Sequence, residues 1–178
     1  MKIGQNIRFA AAAIAILWLV YFLNLILVVD LRIYGIMPRN TDGLWGIAAA
    51  PFLHADLQHL TANSGILFIL LAVSLSYSQA QTLKALLIIT LLGGTLVWLL
   101  GRGGSIHIGA SGIIFGLIGY LMFLGLFRRS WKAVMISMVI SLLYGGALYS
   151  LLIYVPGISW SGHLFGFLAG VTAAWWVR

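Results

Sequence analysis

The stretch "SIHIGASGIIFGLIGY", residues 105–120, sets Ser111 between Ala110 and Gly112 at the start of an apolar run. The run reads as a helix that begins on the serine. Serine is common at helix starts, because its hydroxyl accepts orphan N–H groups of the first turn. A serine there is also a nucleophile if a base reaches it. The rest of the chain decides between the two readings.

Of the 178 residues, 62% are hydrophobic and only 7% charged, and the mean hydropathy is +1.09. So little polar surface excludes a water-soluble domain and marks an integral membrane protein. There is no cysteine, hence no disulfide framework and no thiol nucleophile. The net charge is +7, but the basic residues lie between hydrophobic runs rather than in a nucleic-acid patch. There is no glutamate, and the aspartates are Asp30, Asp42 and Asp56. That disfavours paired-carboxylate catalysis and a membrane proton relay, and it excludes the HExxH zinc proteases, whose base is a glutamate.

A membrane helix needs about 20 mostly apolar residues. Runs of that kind cover about Ala10–Val29, Leu57–Tyr77 and Leu83–Gly101, with a shorter one at Ser111–Phe127. The first follows a basic leader (Lys2, Arg8) but is long and has no cleavage site after it, so it reads as a retained span. Ala133–Val177 is uncharged but too long for one span, and "VPGISWSG" breaks it at Pro156-Gly157. The expectation is an all-α, six-helix membrane bundle forming one domain over residues 1–178, with no internal repeat and no soluble accessory domain.

With the N-terminus inside, the cytoplasmic segments carry Lys2, Arg8, Lys84, Arg128, Arg129, Lys132 and Arg178. The outer segments carry Arg32, Arg39, Arg102 and all three aspartates. That bias predicts N-in, C-in with an even number of spans. The longest connection is the first outer loop, and its "GLWGIAAAPFLH" is apolar enough to lie in the membrane interface.

The second, fourth and sixth helices then all run from outside to inside, each with unusual polar residues at its start. These are His54, His59 and Asn63, then Ser111, then His163. Intramembrane polar groups are costly and are functional candidates by default. His59 and Asn63 are about 40° apart and share a face. His54 is about 140° from His59 and plays a different part. Gly166 and Gly170 share a face with His163, and Gly112, Gly116 and Gly119 form a stripe beside Ser111. Glycine-faced helices approach closely, and docking these two stripes brings the His163 imidazole beside the Ser111 hydroxyl. The fourth helix, at about 17 residues or roughly 26 Å, is short for a 30 Å core. Its start is expected below the outer surface, with "GRGGSIHIGA" dipping in to meet it.

Three motifs, GASG at 109–112, His54 and His59 followed by Asn63, and "SGHLFGFLAG" at 161–170, resemble the signatures of the rhomboid intramembrane serine proteases. The resemblance covers nearly the whole chain. It implies a Ser111–His163 dyad without an acidic third member, and no metal or cofactor. It implies an oxyanion site made of the Ser111 N–H, the His59 imidazole and the Asn63 amide, supported by His54. It matches Gly109, Gly112, Gly166 and Gly170 to packing glycines. The implied partners are transmembrane protein substrates and the lipid bilayer, not nucleic acid. The implied location is a prokaryotic plasma membrane, with the site opening to the extracytoplasmic side.

Two positions depart from that family's pattern. Its frequent Trp-Arg pair in the first loop is Trp45-Gly46 here, and the tyrosine often found four residues after the serine is Phe115. The ring at 115 is kept, so stacking on the histidine can survive.

Simpler readings stand beside these. Ser111 alone reads as a helix cap, and His163 alone as a histidine satisfied by a carbonyl or water. His59 and Asn63 alone read as interhelical hydrogen-bond glue. His107 reads as a loop residue near the entrance, Asp56 as the cap of the second helix, and Trp175 and Trp176 as interfacial anchors. Competing functions are a catalytically inactive rhomboid-like protein that binds membrane clients, and a small transporter. Such inactive relatives usually lack the serine or the histidine, and a transporter would want polar residues near the midplane and repeat symmetry.

Overall fold

In a bilayer no water is available to the backbone, so apolar runs must satisfy their own N–H and C=O groups, and the helix does this within one segment. A computed structural model, described over residues 2–151 and 159–177, is helical through most of its apolar runs and has no strand among those residues. Helix α1 spans Lys2–Ile26, the short α2 Gly46–Ala49 and α3 Leu57–Tyr77. Helix α4 (Gln79–Ile88) continues through a π-helical turn (Ile89–Gly93) into α5 (Gly94–Leu100). Helix α6 spans Ser111–Arg128, α7 spans Trp131–Tyr144 with a 3-10 extension to Leu151, and α8 spans Trp160–Trp176.

Among the described residues, five helical stretches are long and apolar enough to cross a membrane: Ile3–Ile26, Leu57–Tyr77, Gln79–Leu100, Ser111–Arg128 and Trp131–Leu151. The sixth expected span corresponds to α8, with 17 described residues, about 26 Å of helix. The break expected at Pro156-Gly157 lies outside the described residues. Two starts differ from the hydropathy reading. Helix α1 begins at Lys2 rather than near Ala10, because polar residues continue the helix beyond the apolar run. The third span begins at Gln79 rather than Leu83, because Ser78 caps it by accepting from the Gln81 N–H.

The core forms around α6. Leu117, Tyr120, Leu121 and Leu124 are fully enclosed and pack with Leu60, Leu67, Leu70 and Leu71 of α3. Helix α1 lies on α3, where the Trp18 indole donates to Ser64 Oγ at 3.1 Å. The outer face of α7, including Leu142 and Leu143, is exposed and suits lipid. Where α6 meets α7, buried polar groups are paired, as an apolar surrounding favours. The Gly125 N–H donates to Ser137 Oγ at 2.7 Å, and that hydroxyl donates to the Leu121 carbonyl at 2.9 Å.

The seam between α6 and α8 is made of glycine. A Cβ placed on Gly166 would land on the Gly112 carbonyl, and one on Gly170 on the Gly116 carbonyl. Gly119 lies against the Phe167 carbonyl in the same way. In lipid there is little hydrophobic force between helices, so this backbone approach supplies the packing.

The first outer loop is clamped to the segment before α6. Ile36 and His107 exchange backbone hydrogen bonds at 3.0 and 2.9 Å, and the Gly109 N–H donates to the Ala50 carbonyl at 2.9 Å. Arg39 donates to the carbonyls of Leu99 and Gly101, which satisfies the end of α5. Trp45, in this loop, is 79% exposed. A Cβ on Gly46 would fall on the backbone of Gly35 and Ile36. The tight packing leaves no room there for the arginine of the related pattern.

Candidate active site

Ser111 is the first residue of α6, not its cap. The cap is Ala110, without a side-chain hydrogen bond, and the first bond of the helix runs from the Ile114 N–H to the Ala110 carbonyl at 3.0 Å. The simple capping reading of Ser111 therefore fails. The N–H groups of the first turn have no partner in the helix and carry its positive end. The turn into the helix passes through Gly109 with φ +108°, a conformation glycine adopts without a Cβ clash.

That turn sets Gly109 against α3. A Cβ at Gly109 would stand 2.6 Å from His59 Cε1, 2.7 Å from His59 Nε2 and 3.5 Å from Asn63 Nδ2. The shared face expected of His59 and Asn63 thus exists, and it meets the backbone two residues before the serine. Asp56 caps α3 by accepting from the His59 N–H at 2.7 Å, which confirms its expected role and fixes the backbone of His59. Asn63 is buried, and its Nδ2 has no hydrogen-bond partner among the described residues. An unpaired buried donor is costly unless something brought to the site accepts from it.

His54 sits in the loop before α3, buried, with its ring edge-on to His59 at a centroid distance of 5.1 Å. Its Nδ1 lies 3.3 Å from the Phe52 carbonyl. Burial, reinforced by the neighbouring His59, pushes the His54 imidazole down to about 4. It is a neutral ring wedged behind His59.

His163 lies in the first turn of α8, with its N–H donating to the Ser159 carbonyl at 3.1 Å. Its ring is buried and stacks on Phe115, with centroids 4.0 Å apart and planes 16° apart. Phe115 is four residues after Ser111, on the same helical face. Below them, Gly112 meets Gly162 and Gly166. Ser111, Gly112, Gly162 and Gly166 also line one cavity of about 60 Å³. Among the described residues no hydrogen bond joins Ser111 to His163, and His163 Nδ1 has no partner. The site thus gathers a hydroxyl, an imidazole, a helix N-terminus and an unpaired amide donor from three distant stretches of chain.

His107 lies in the loop before α6, as expected, and lines the same cavity as Ser111; its hydrogen bonds were not anticipated. Its ring lies 2.6 Å from Ser159 Oγ through Nδ1 and 3.1 Å from Ser105 Oγ through Nε2. Ser159 also caps α8, accepting from the Gly162 N–H at 3.1 Å. The signal available in the sequence was the cap spacing, a serine just before the helix that carries His163.

Residues 41–178 match the sequence profile of the Rhomboid domain. The chain is 41% identical over 170 residues to "Uncharacterized protein Rv1337" of Mycobacterium tuberculosis, covering 91% of this chain and 71% of that one. It is 31% identical over 175 residues to "Putative rhomboid protease YdcA" of Bacillus subtilis, covering 96% and 87%. It is 29% identical over 139 residues to "RHOMBOID-like protein 5" of Arabidopsis thaliana, covering 71% and 41%. No solved structure matches the chain significantly.

Proposed function

Because the chain belongs to the rhomboid family, we propose that it is an intramembrane serine endopeptidase that hydrolyses peptide bonds in or near transmembrane segments of other membrane proteins. Ser111 Oγ attacks the scissile carbonyl carbon while His163 takes the hydroxyl proton. The carbonyl oxygen, now an oxyanion, accepts from the Ser111 N–H, the Asn63 amide and the His59 imidazole, donors held in place before charge develops. Collapse breaks the C–N bond, and His163 gives its proton to the leaving amine. Water, deprotonated by the same imidazole, then attacks the acyl-serine and frees the new carboxylate and the serine. The hydrogen bond from serine to histidine forms in the reacting complex, since catalytic contacts of this kind are often made only there.

The observation that supports this reading most is the meeting at Gly109. His59 and Asn63 reach the backbone just before Ser111, while Phe115, one turn beyond, carries His163. The bias of basic residues gives N-in, C-in, so the site opens toward the outer leaflet of a bacterial plasma membrane. Substrate segments must unwind locally there, because a helical peptide bond is shielded from attack.

Purified protein in detergent, incubated with a transmembrane substrate, tests the proposal. Cleavage near the outer end of the segment, together with fluorophosphonate labelling of Ser111, is the expected result. A protein that binds the substrate, leaves it intact and resists the label would be a client-binding relative, and the proposal would fail.

A further inference from the structure

The glycine seam fastens α6 to α8 below Ser111 and His163, at Gly112 and Gly166. A second fastening lies on their other side. His107, four residues before Ser111, reaches Ser159, four residues before His163. The two reacting groups stand between the seam and this polar clasp.

The clasp has a fixed direction. The Ser105 hydroxyl donates to the Arg102 carbonyl at 2.7 Å, so its oxygen accepts from His107 Nε2–H at 3.1 Å. His107 Nδ1 is then the acceptor of the Ser159 hydroxyl proton, at 2.6 Å. The Ser159 oxygen in turn accepts the Gly162 N–H at 3.1 Å. Burial, opposed by the Arg102 carbonyl, holds the His107 imidazole below its ordinary value, which suits this neutral tautomer. The backbone of His107 is also fixed, by its two hydrogen bonds with Ile36. One residue therefore joins the first outer loop, the serine-bearing segment and the start of α8.

The geometry points to His107 as a positioning residue, which sets the separation of Ser111 and His163 by holding the Ser159 end of α8. This rests on the Ser111–His163 reading proposed above. His107 has no part in the chemistry itself. Its loss lets the first turn of α8 drift, and a displacement of about 1 Å can cost on the order of a hundredfold in rate.

The test is the rate of fluorophosphonate labelling at Ser111, expressed per folded molecule, with melting temperature measured alongside. His107→Ala should slow labelling about ten- to a hundredfold. His107→Asn, whose Oδ1 can accept the Ser159 proton, should recover most of the rate. Ser159→Gly keeps an acceptable helix cap but removes the clasp, so it should slow labelling to a similar degree and carries the test if His107→Ala does not fold. The double variant should be no slower than the slower single one. Wild-type labelling per folded molecule in Ser159→Gly or in a folded His107→Ala would overturn the positioning role, as would failure of His107→Asn to restore it. A wild-type protein that never labels would overturn the serine reading and the clasp's purpose with it.

Discussion

The Phe115 ring lies flat on the His163 imidazole, 4.0 Å between centroids and 16° between planes. It stands four residues beyond Ser111 on α6, so it holds the imidazole over the face of the helix that carries the hydroxyl. Aromatic stacking of this kind contributes about 0.5–1.5 kcal/mol beyond area burial. Phe115→Leu should therefore lower turnover about two- to tenfold, and Phe115→Tyr should stay near wild type. Steady-state cleavage rates of the two variants check this, and a Leu variant as fast as wild type would remove the stack from the account.

The seam gives a prediction about stability. Any side chain at Gly166 meets the Gly112 carbonyl, so Gly166→Val should destabilise by about 1–3 kcal/mol and lose activity. Gly65, on α3, has nothing within 4 Å of a Cβ position. Gly65→Ala should be neutral or stabilise by about 0.5–1 kcal/mol. Thermal melts in detergent separate the two, and equal shifts would contradict close packing at the seam.

Asn63 distinguishes oxyanion stabilisation from helix glue. Its Nδ2 has no partner in the resting protein among the described residues, so the glue reading has no bond to point to. Asn63→Ala should lower turnover about 10²–10³-fold, roughly 3–4 kcal/mol, with little change in melting. A lower melting temperature with turnover per folded molecule intact would reverse the assignment.

His54 makes stability depend on pH. Its imidazole is held at about 4 in the folded protein against 6.5 for a free ring, so unfolding takes up a proton between those values. The stabilisation is complete above about 6.5 and is lost as pH falls toward 4. Melting temperature should drop over that window, and His54→Asn should flatten the slope. His107, also lowered by burial, keeps part of the slope in place. An unchanged slope in His54→Asn would show that the buried ring is not its source.

Much of this was legible because periodicity and composition act at the scale of a whole helix. The helix Leu57–Tyr77 has its expected bounds, Ser111–Arg128 runs one residue past the expected Ser111–Phe127, and the glycine stripes meet as their spacing implied. Ser111 and His163 stand out in sequence because polar groups at such positions are rare. The clasp of His107 on Ser159 does not stand out, since it joins positions 52 residues apart through loops that have no period. The exclusion of arginine at Gly46 is hidden for the same reason: it depends on the approach of Gly35 and Ile36. Hydropathy also misjudged where α1 begins, because polar residues extend a helix without extending its apolar run.

Whether Ser111 and His163 act as one unit is read from cleavage of a transmembrane substrate by Ser111→Ala, His163→Ala and the double variant, each confirmed as folded by its melt. Residues that act as a unit are far from additive. Each single variant should lose essentially all turnover, and the double variant should be no worse than either. Substantial residual proteolysis in folded Ser111→Ala would show that Ser111 is not the nucleophile.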